Sequence, residues 1–441
     1  MSREMKDSGV ERIGKIPLDW KVIKLGKVVD SGNKYPIGDG DHGSITPSMY
    51  LESGIPYIRV QNLTDSKEIK WDNMVYISEE TQRNNPKSIL RKDDILIAKT
   101  GATVGKTCII PSSVNEANTT SSVGKITVDK SNFDYRYVFY SLRADFTQDL
   151  IKLIASQKTA QPGFNIVDMV EFPICQPSKR TQEDIVNYLD KKISQIDDII
   201  SKQKSLIEKY KAYKQSLITE TVTKGLNKNV PMRDSGIEWI GEMPSHWNIC
   251  RMKNIGEAII GLTYSPEEVS DSGTLVLRSS NVKNGKIVYE DNVFVNKNIP
   301  KKLITRIGDI LICSRNGSRA LIGKCAYIDE LSAEKSFGAF MTIFRSEYNK
   351  FIYYILNSAI FKFHIGTFLT STINQLTTSN LNGISITLPP KEEQEEIANF
   401  LDKKCNEIDS TISKKEQLIS KLEDYKKSLI YECVTGKREV L

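Results

Sequence analysis

A chain of 441 residues is longer than one ordinary core needs, and at about 100–200 residues per domain it predicts two to four domains. A hydrophobic fraction of 39% and a charged fraction of 26% are globular values, no apolar run is long enough to span a bilayer, and a formal charge of +6 permits a polyanionic partner without demanding one. Seven cysteines without a Cys-x-x-Cys pair and three isolated histidines offer no metal-ligand spacing; with no apolar leader at the start, they predict reduced thiols in the cytoplasm.

The first element in chain order is Asp7-Ser-Gly-Val-Glu-x-Ile-Gly-x-x-Pro17-x-x-Trp20, and it returns at an offset of 227 as Asp234-Ser-Gly-Ile-Glu-x-Ile-Gly-x-x-Pro244-x-x-Trp247. A fixed offset marks duplication before any secondary structure is assigned. The stretch that follows, about 21–176, reads as mixed α/β: Pro56–Val60, Ile95–Ala98 and Lys125–Val128 are predicted strands, and Phe133–Leu153 one helix. Within it, Gly38-x-Gly40-x-x-Gly43 satisfies a dinucleotide fingerprint on paper, but no strand runs into it and Pro47 follows where a helix is required, so a mobile loop is expected. Glu68-x-Lys70 has the spacing of a fragment of a metal-dependent nuclease site, yet its copy lacks the pair.

Thr100-Gly-Ala-Thr-Val-Gly-Lys-Thr107 resembles a phosphate-cradling loop with a spacer one residue short, while its counterpart, Gly317-Ser-Arg-Ala-Leu-Ile-Gly323-Lys324-Cys325, is one too long and has no Ser or Thr after the Lys. Cys108-Ile-Ile-Pro111 reads as a further strand where such a loop needs a helix. The segment is therefore expected to connect two strands, its Gly and Lys free to touch phosphate.

Next comes a helix. Ile185, Leu189, Ile193, Ile196, Ile200, Ile207, Tyr210, Tyr213 and Leu217 recur near every 3.5 residues, after Pro177 and before Gly225. Gln182–Thr223 aligns without gaps on Gln394–Thr435 at an offset of 212 with 24 of 42 positions identical, and Ile397, Leu401, Ile408, Ile412, Ile419, Leu422, Tyr425 and Leu429 repeat the stripe between Pro390 and Gly436. Helices of about 40 residues run roughly 60 Å, too long to bury such a stripe on one domain each, so the two are expected to pack antiparallel; folding back separately onto their own domains is the alternative. Between them, about 248–388, Leu275–Arg278, Ile310–Cys313 and Ala339–Phe344 are predicted strands and Asn349–Phe368 one helix. The order is variable, constant, variable, constant: residues 1–176, 177–225, 226–388 and 389–441.

Catalytic signatures are missing. An adenine methyltransferase needs an acidic or amide residue before Pro-Pro-aromatic, and the one Pro-Pro is Leu388-Pro-Pro-Lys391; the lone histidines read as surface or structural groups.

With the repeats in view, the chain resembles, over nearly all its length, the DNA-specificity subunit of type I restriction-modification systems. The resemblance rests on the doubled Ile-Gly-x-x-Pro-x-x-Trp openings, Ile55-Pro-Tyr-Ile-Arg59-Val-Gln-Asn62, Asp94-Ile-Leu-Ile-Ala-Lys-Thr-Gly-Ala-Thr-Val-Gly-Lys106, and the paired Gln-Glu-x-Ile-x-x-x-Leu-Asp starts at Gln182 and Gln394. It implies a mixed α/β chain of two target recognition domains held apart by two long antiparallel helices in a coiled coil, with a pseudo-twofold internal repeat. It also implies a non-catalytic subunit that binds double-stranded DNA, docks two methyltransferase subunits and, where present, restriction subunits, with S-adenosylmethionine, ATP and Mg on those partners and none on this chain. A silent subunit acting as a protein scaffold is the alternative; DNA binding through several phosphates falls steeply with salt, whereas scaffold association need not.

Divergence between the variable blocks predicts two different half-sites. DNA contacts are expected from polar side chains on loops, Arg for guanine, Asn or Gln for adenine and Lys for phosphate: Arg59, Asn62, Lys99, Thr100, Lys158, Thr159, Gln161 and Asn165 in the first domain, and Arg278, Asn281, Arg315, Asn316, Arg319, Ser371, Asn374 and Gln375 in the second. Solvated loop residues and phosphate anchors are the alternatives, with Arg59 and Arg278 also open to structural pairing. Charges kept in both helices, Glu183, Asp190, Lys191 and Lys192 with Glu395, Asp402, Lys403 and Lys404, suggest partner docking, with plain helix solvation as the other reading.

Overall fold

The computed structural model describes residues 3–157, 162–369 and 374–440. They form two compact units that do not follow chain order, Met1–Lys202 with Gln417–Leu441, and Gln203–Glu416.

In the first unit, Ile95–Ala98 lies inside a sheet ordered Ile37–Asp39, Val123–Ile126, Ile95–Ala98, Thr107–Ile109, with every pairing antiparallel. All four of its residues are buried. Side chains alternate across a strand, so Ile95 and Ile97 enter the core with Tyr137, Phe139 and Phe172, and Leu96 and Ala98 enter another with Ile58, Leu90 and Cys108. A strand covered on both faces needs an unbroken apolar run, and Ile-Leu-Ile-Ala is one. A second sheet, ordered Val75–Ile77, Ile55–Ile58, Glu116–Thr119, Leu90–Arg91, contains the parallel pairing of Ile55–Ile58 with Glu116–Thr119. The segment around the three glycines is tied down, contrary to the mobile loop expected. The buried Asp41 carboxylate accepts from the backbone N–H groups of Gly43 and Ile45 and from the Tyr57 hydroxyl.

The second unit repeats this frame despite the divergence. One sheet is ordered Gly256–Ile260, Met341–Ser346, Ile310–Cys313, Cys325–Tyr327; the other is Val269–Ser270, Phe294–Val295, Thr274–Leu277, Ser336–Phe337, again with one parallel pairing. Ile310 and Ile312 face one core, Leu311 and Cys313 the other. Asp94 and Asp309, which precede the central strands, are both buried and both accept from the backbone N–H three residues before them, Arg91 and Arg306; their side-chain partners differ, Thr127 Oγ1 for Asp94 and the Arg345 guanidinium, at 2.6 and 2.7 Å, for Asp309.

Each single helix expected in a variable block is two. Tyr135–Arg143 and Asp145–Ser156 are separated by Ala144 in an extended conformation, with Thr147 Oγ1 and Gln148 Nε2 donating to the carbonyls of Ser141 and Leu142 that the break frees. In the other unit Asn349–Leu356 gives way at Ser358, whose hydroxyl caps Ala359–Phe368. Apolar periodicity runs through both breaks, so it could not reveal them.

The long helices span Lys179–Lys224 and Lys391–Val434. Both end at a glycine in the left-handed region, Gly225 and Gly436, and a Cβ there would press on Trp247 in one unit and on Pro17 in the other. Their paired Gln starts are structural: Gln182 Nε2 donates to Pro177 O and Gln394 Nε2 to Pro389 O, both side chains buried.

Within each unit, half of one helix packs antiparallel on half of the other. In the first unit Lys426 pairs with Asp197 and Arg438 reaches Tyr188; in the second, Lys214 pairs with Asp409 and Lys415 donates to Gln203. Lys214/Lys426 and Asp197/Asp409 are equivalent at the repeat offset, so one interhelical ion pair is written twice. At half-exposed positions such pairs contribute little stability, roughly 0–1 kcal/mol, but they pin the register.

The repeat also explains why the first unit recruits the end of the chain. Leu429, Ile430, Cys433 and Val434 lie in one core with Ile13, Ile16, Trp20 and Leu25. In the second unit Ile218 and Val222 lie with Ile240, Met243, Trp247 and Met252. Each opening motif thus packs on the final turns of a long helix: the second motif on the helix just before it, the first on the helix at the far end of the chain. Burial raises the thiols of Cys175, Cys325 and Cys433 to about 12 and those of Cys313 and Cys405 to about 11, and all seven cysteines are free. Among the described residues no helix is long and apolar enough to cross a membrane.

Candidate nucleic-acid interface

The central strand of each unit delivers its chain to an equivalent loop. Thr100–Lys106 joins two antiparallel strands, with Gly105 N donating to Ala98 O and Ala98 N to Lys106 O. A phosphate-binding loop opens a helix instead. Alongside lies a second segment: Thr100 pairs with Gly163, Gly101 N donates to Pro162 O, and Phe164 N to Lys99 O. In the second unit Arg315 pairs with Gln375, and Leu376 N donates to Ser314 O. Segments 60 or so residues apart are thereby brought together in the same register in both units.

This arrangement sorts the expected readers. Thr100 and Asn165 flank the first junction, with Asn165 exposed and capping Ile166–Val170. Arg315, Asn316, Arg319, Asn374 and Gln375 gather at the second: Arg315 Nη2 donates to Gln375 Oε1 at 2.6 Å, Asn316 Nδ2 to Ser279 Oγ at 3.0 Å, Arg319 Nη2 to the Gly366 and Leu369 carbonyls, and Asn374 Nδ2 to Gly317 O. Lys158, Thr159, Gln161 and Ser371 lie outside the described residues.

Three of the expected readers are internal. Asn62 and Asn281 are 1% and 0% exposed, each accepting from the backbone N–H of Arg59 or Arg278 and donating to the carbonyl of Lys70 or Val288. A carboxamide with both ends engaged inside a turn cannot meet a base edge. Lys99, 6% exposed, spends its charge on Asp39 at 2.5 Å. Arg59 and Arg278 also serve their turns: Arg59 donates to Asn73 O over the Tyr50 ring, and Arg278 donates to Asp291 O and pairs with its carboxylate. Their structural reading is the one the contacts support.

The helix positions need a similar correction. Asp190 accepts from Tyr140, Arg136 and Lys67, and Asp402 from Tyr354 and Lys350, so these twin carboxylates tie each helix to its own domain. Burial and the neighbouring carboxylate both push the Tyr140 and Tyr354 hydroxyls well above their ordinary range, keeping them donors. Glu183, Lys191, Glu395 and Lys403 are exposed, Lys192 lies over Tyr188, and Lys404 pairs with Glu407. Tyr213 and Tyr425, placed in the buried stripe by periodicity, are 57% and 46% exposed, and Leu206 and Leu418, seven residues before them, are also exposed. All four are identical between the repeats, a signal the sequence carried and apolarity alone misread.

The sequence model described as type I restriction modification DNA specificity domain matches residues 17–209 and 244–422. The chain belongs to this family. Among curated relatives, the type I restriction enzyme MjaVIII specificity subunit of Methanocaldococcus jannaschii is 26% identical, covering 97% of this chain and 94% of that protein. The EcoKI specificity subunit of Escherichia coli K12 is 31% identical over 45% of this chain and 44% of its own. In fold, a chain from a structural study of assembly and conformational transition in the type I R-M system aligns with a TM-score of 0.73 at 15% identity, covering 96% of this chain and 99% of that one. The HsdS subunit of Thermoanaerobacter tengcongensis aligns at 0.51, also at 15% identity, over 96% and 98%. In this specificity subunit the two matched segments are the two sheet frames with their helices, and the loop pairs at Thr100 and Arg315 sit on equivalent strands of each.

Proposed function

We propose that each unit of this specificity subunit reads one half of a split, asymmetric site in double-stranded DNA, and that the helices fix the gap. The observation that carries this is a repeated frame with unlike loops. The same register holds Thr100 opposite Gly163 in one unit and Arg315 opposite Gln375 in the other. Equivalent scaffolds with different polar side chains favour different base pairs.

The subunit itself does no chemistry in this reading. Methylation and cleavage, with S-adenosylmethionine, ATP and Mg, belong to methyltransferase and restriction subunits assembled on it in the cytoplasm. Each unit offers one docking patch, Leu206 with Tyr213 or Leu418 with Tyr425, and exposed tyrosines on a helix are suited to anchoring a partner. Changing Tyr213→Ala and Tyr425→Ala together is expected to weaken capture of the methyltransferase subunit at least tenfold in a titration, about 1–2 kcal/mol per site, without altering the melting curve. Unchanged capture would remove these tyrosines from the docking surface.

The deciding experiment is a genome-wide map of N6-methyladenine in the native host with and without this chain. A split, asymmetric motif that disappears on deletion is the expected result. A map that does not change would favour a silent scaffold.

A further inference from the structure

We infer that Arg315 is the guanine-reading side chain of the second unit, and that Gln375 and Phe340 hold it in place for that task. The inference rests on the second unit being a DNA half-site reader, and adds which residue reads and which base it selects.

Arg315 is exposed, yet fixed from three directions. Its backbone N–H donates to Phe340 O at 3.0 Å, its guanidinium carbon lies 5.6 Å from the Phe340 ring centroid, and Nη2 donates to Gln375 Oε1 at 2.6 Å. Phe340 is 58% exposed, and the guanidinium lies over its ring at cation–π distance. Nearby arginines are committed elsewhere: Arg278 to Asp291, Arg345 to the buried Asp309, and Arg319 to two main-chain carbonyls. Arg315 is held by a neutral amide, so its full charge remains for a ligand.

The geometry leaves the right hydrogens free. Nη2 carries two, and Gln375 takes one. Whichever it takes, the other lies parallel to a hydrogen on Nη1 or on Nε, and either fork matches O6 and N7 on the major-groove edge of guanine. An arginine already ordered by a cation–π contact and an amide loses little rotamer freedom on binding, which favours selection of a base over general attraction to phosphate.

The first unit cannot use this device. Gly163 stands opposite Thr100, and a Cβ there would lie 2.6 Å from Lys99 O, so no side chain fits where Gln375 sits. Thr100 has no fork. Guanine selection at this register is therefore a property of one half-site only.

The test uses the assembled complex of this subunit with its methyltransferase, on duplexes carrying the site found by the methylation map. Each guanine of the half-site assigned to the second unit is replaced in turn by 7-deazaguanine, which lacks the N7 acceptor. At one position the wild-type complex is expected to bind about tenfold or more weakly. Arg315→Ala should show almost no penalty for the same replacement, and Arg315→Lys, whose ammonium can still donate to N7 but without the fork, and Gln375→Ala a reduced one at the same position. Base changes at the remaining positions of the second unit's own half-site should cost all variants as much as wild type, which also shows that the substituted unit is folded. A penalty that persists undiminished in both Arg315 variants, or a half-site without guanine, overturns the inference while the split site stands. A wild-type complex with no split site overturns the underlying reading and this inference with it.

Discussion

Ending the chain at Ser428 is expected to unfold the first unit and leave the second folded. Leu429, Ile430 and Val434 are at most 4% exposed in the core that contains Ile13, Ile16 and Trp20. At roughly 1.5–3 kcal/mol each, their loss removes about 5–9 kcal/mol, comparable with the whole stability of a domain, about 5–15 kcal/mol. Three hydrogen bonds leave with them: Tyr431 Oη and Lys437 Nζ to Ile13 O, and Tyr137 Oη to Val434 O. Calorimetry should show one cooperative transition lost and one retained. A point variant checks the same logic without truncation. Ile430→Ala should destabilise the first unit by about 2–5 kcal/mol and its equivalent Ile218→Ala the second, although Ile430 is hundreds of residues from the core it supports. A truncated chain that melts like the full one would mean that the C-terminal turns are not part of that core.

Inserting one heptad in step into both long helices, at matched positions, is expected to lengthen the recognised gap and leave both half-sites unchanged. A heptad keeps the apolar stripe in phase, and both helices must change because their register is pinned by Lys214–Asp409 and Lys426–Asp197. The added rise is roughly 10 Å, against roughly 3.4 Å per base pair of DNA. Methylation mapping of the lengthened chain reads the result directly. An unaltered gap would count against the helices as the ruler. A heptad in one helix alone should instead mismatch the ion pairs and the stripe, and lower stability.

Much of this could be read along the chain because it is local or repeated. The duplication is visible at offsets of 227 and 212, the central strands are uninterrupted Ile and Leu runs, and the helices stop at Gly225 and Gly436. The helix breaks at Ala144 and Ser358 were invisible, since an amphipathic stripe continues through a turn when both flanking helices face the same core.

Site residues were harder for a different reason. Asn62 and Asn281 are the residue type that reads adenine, and also the type that closes a turn by accepting and donating at once; only the Lys70 and Val288 carbonyls decide between the two. Lys99 looked like a phosphate ligand until Asp39, sixty residues away in sequence, took its charge.

By itself the sequence determined the family, the internal repeat, the strand and helix types and the likeness of the two halves, because hydrophobic period, turn residues and identity at a fixed offset are properties of neighbouring residues. Only the tertiary structure decided that the end of the chain completes the first unit, that Asp190 and Asp402 face inward to tyrosines, and that Arg315 stands open on Phe340 beside Gln375. Whether a polar side chain is spent or available depends on partners that folding brings from elsewhere in the chain, and no local pattern encodes that.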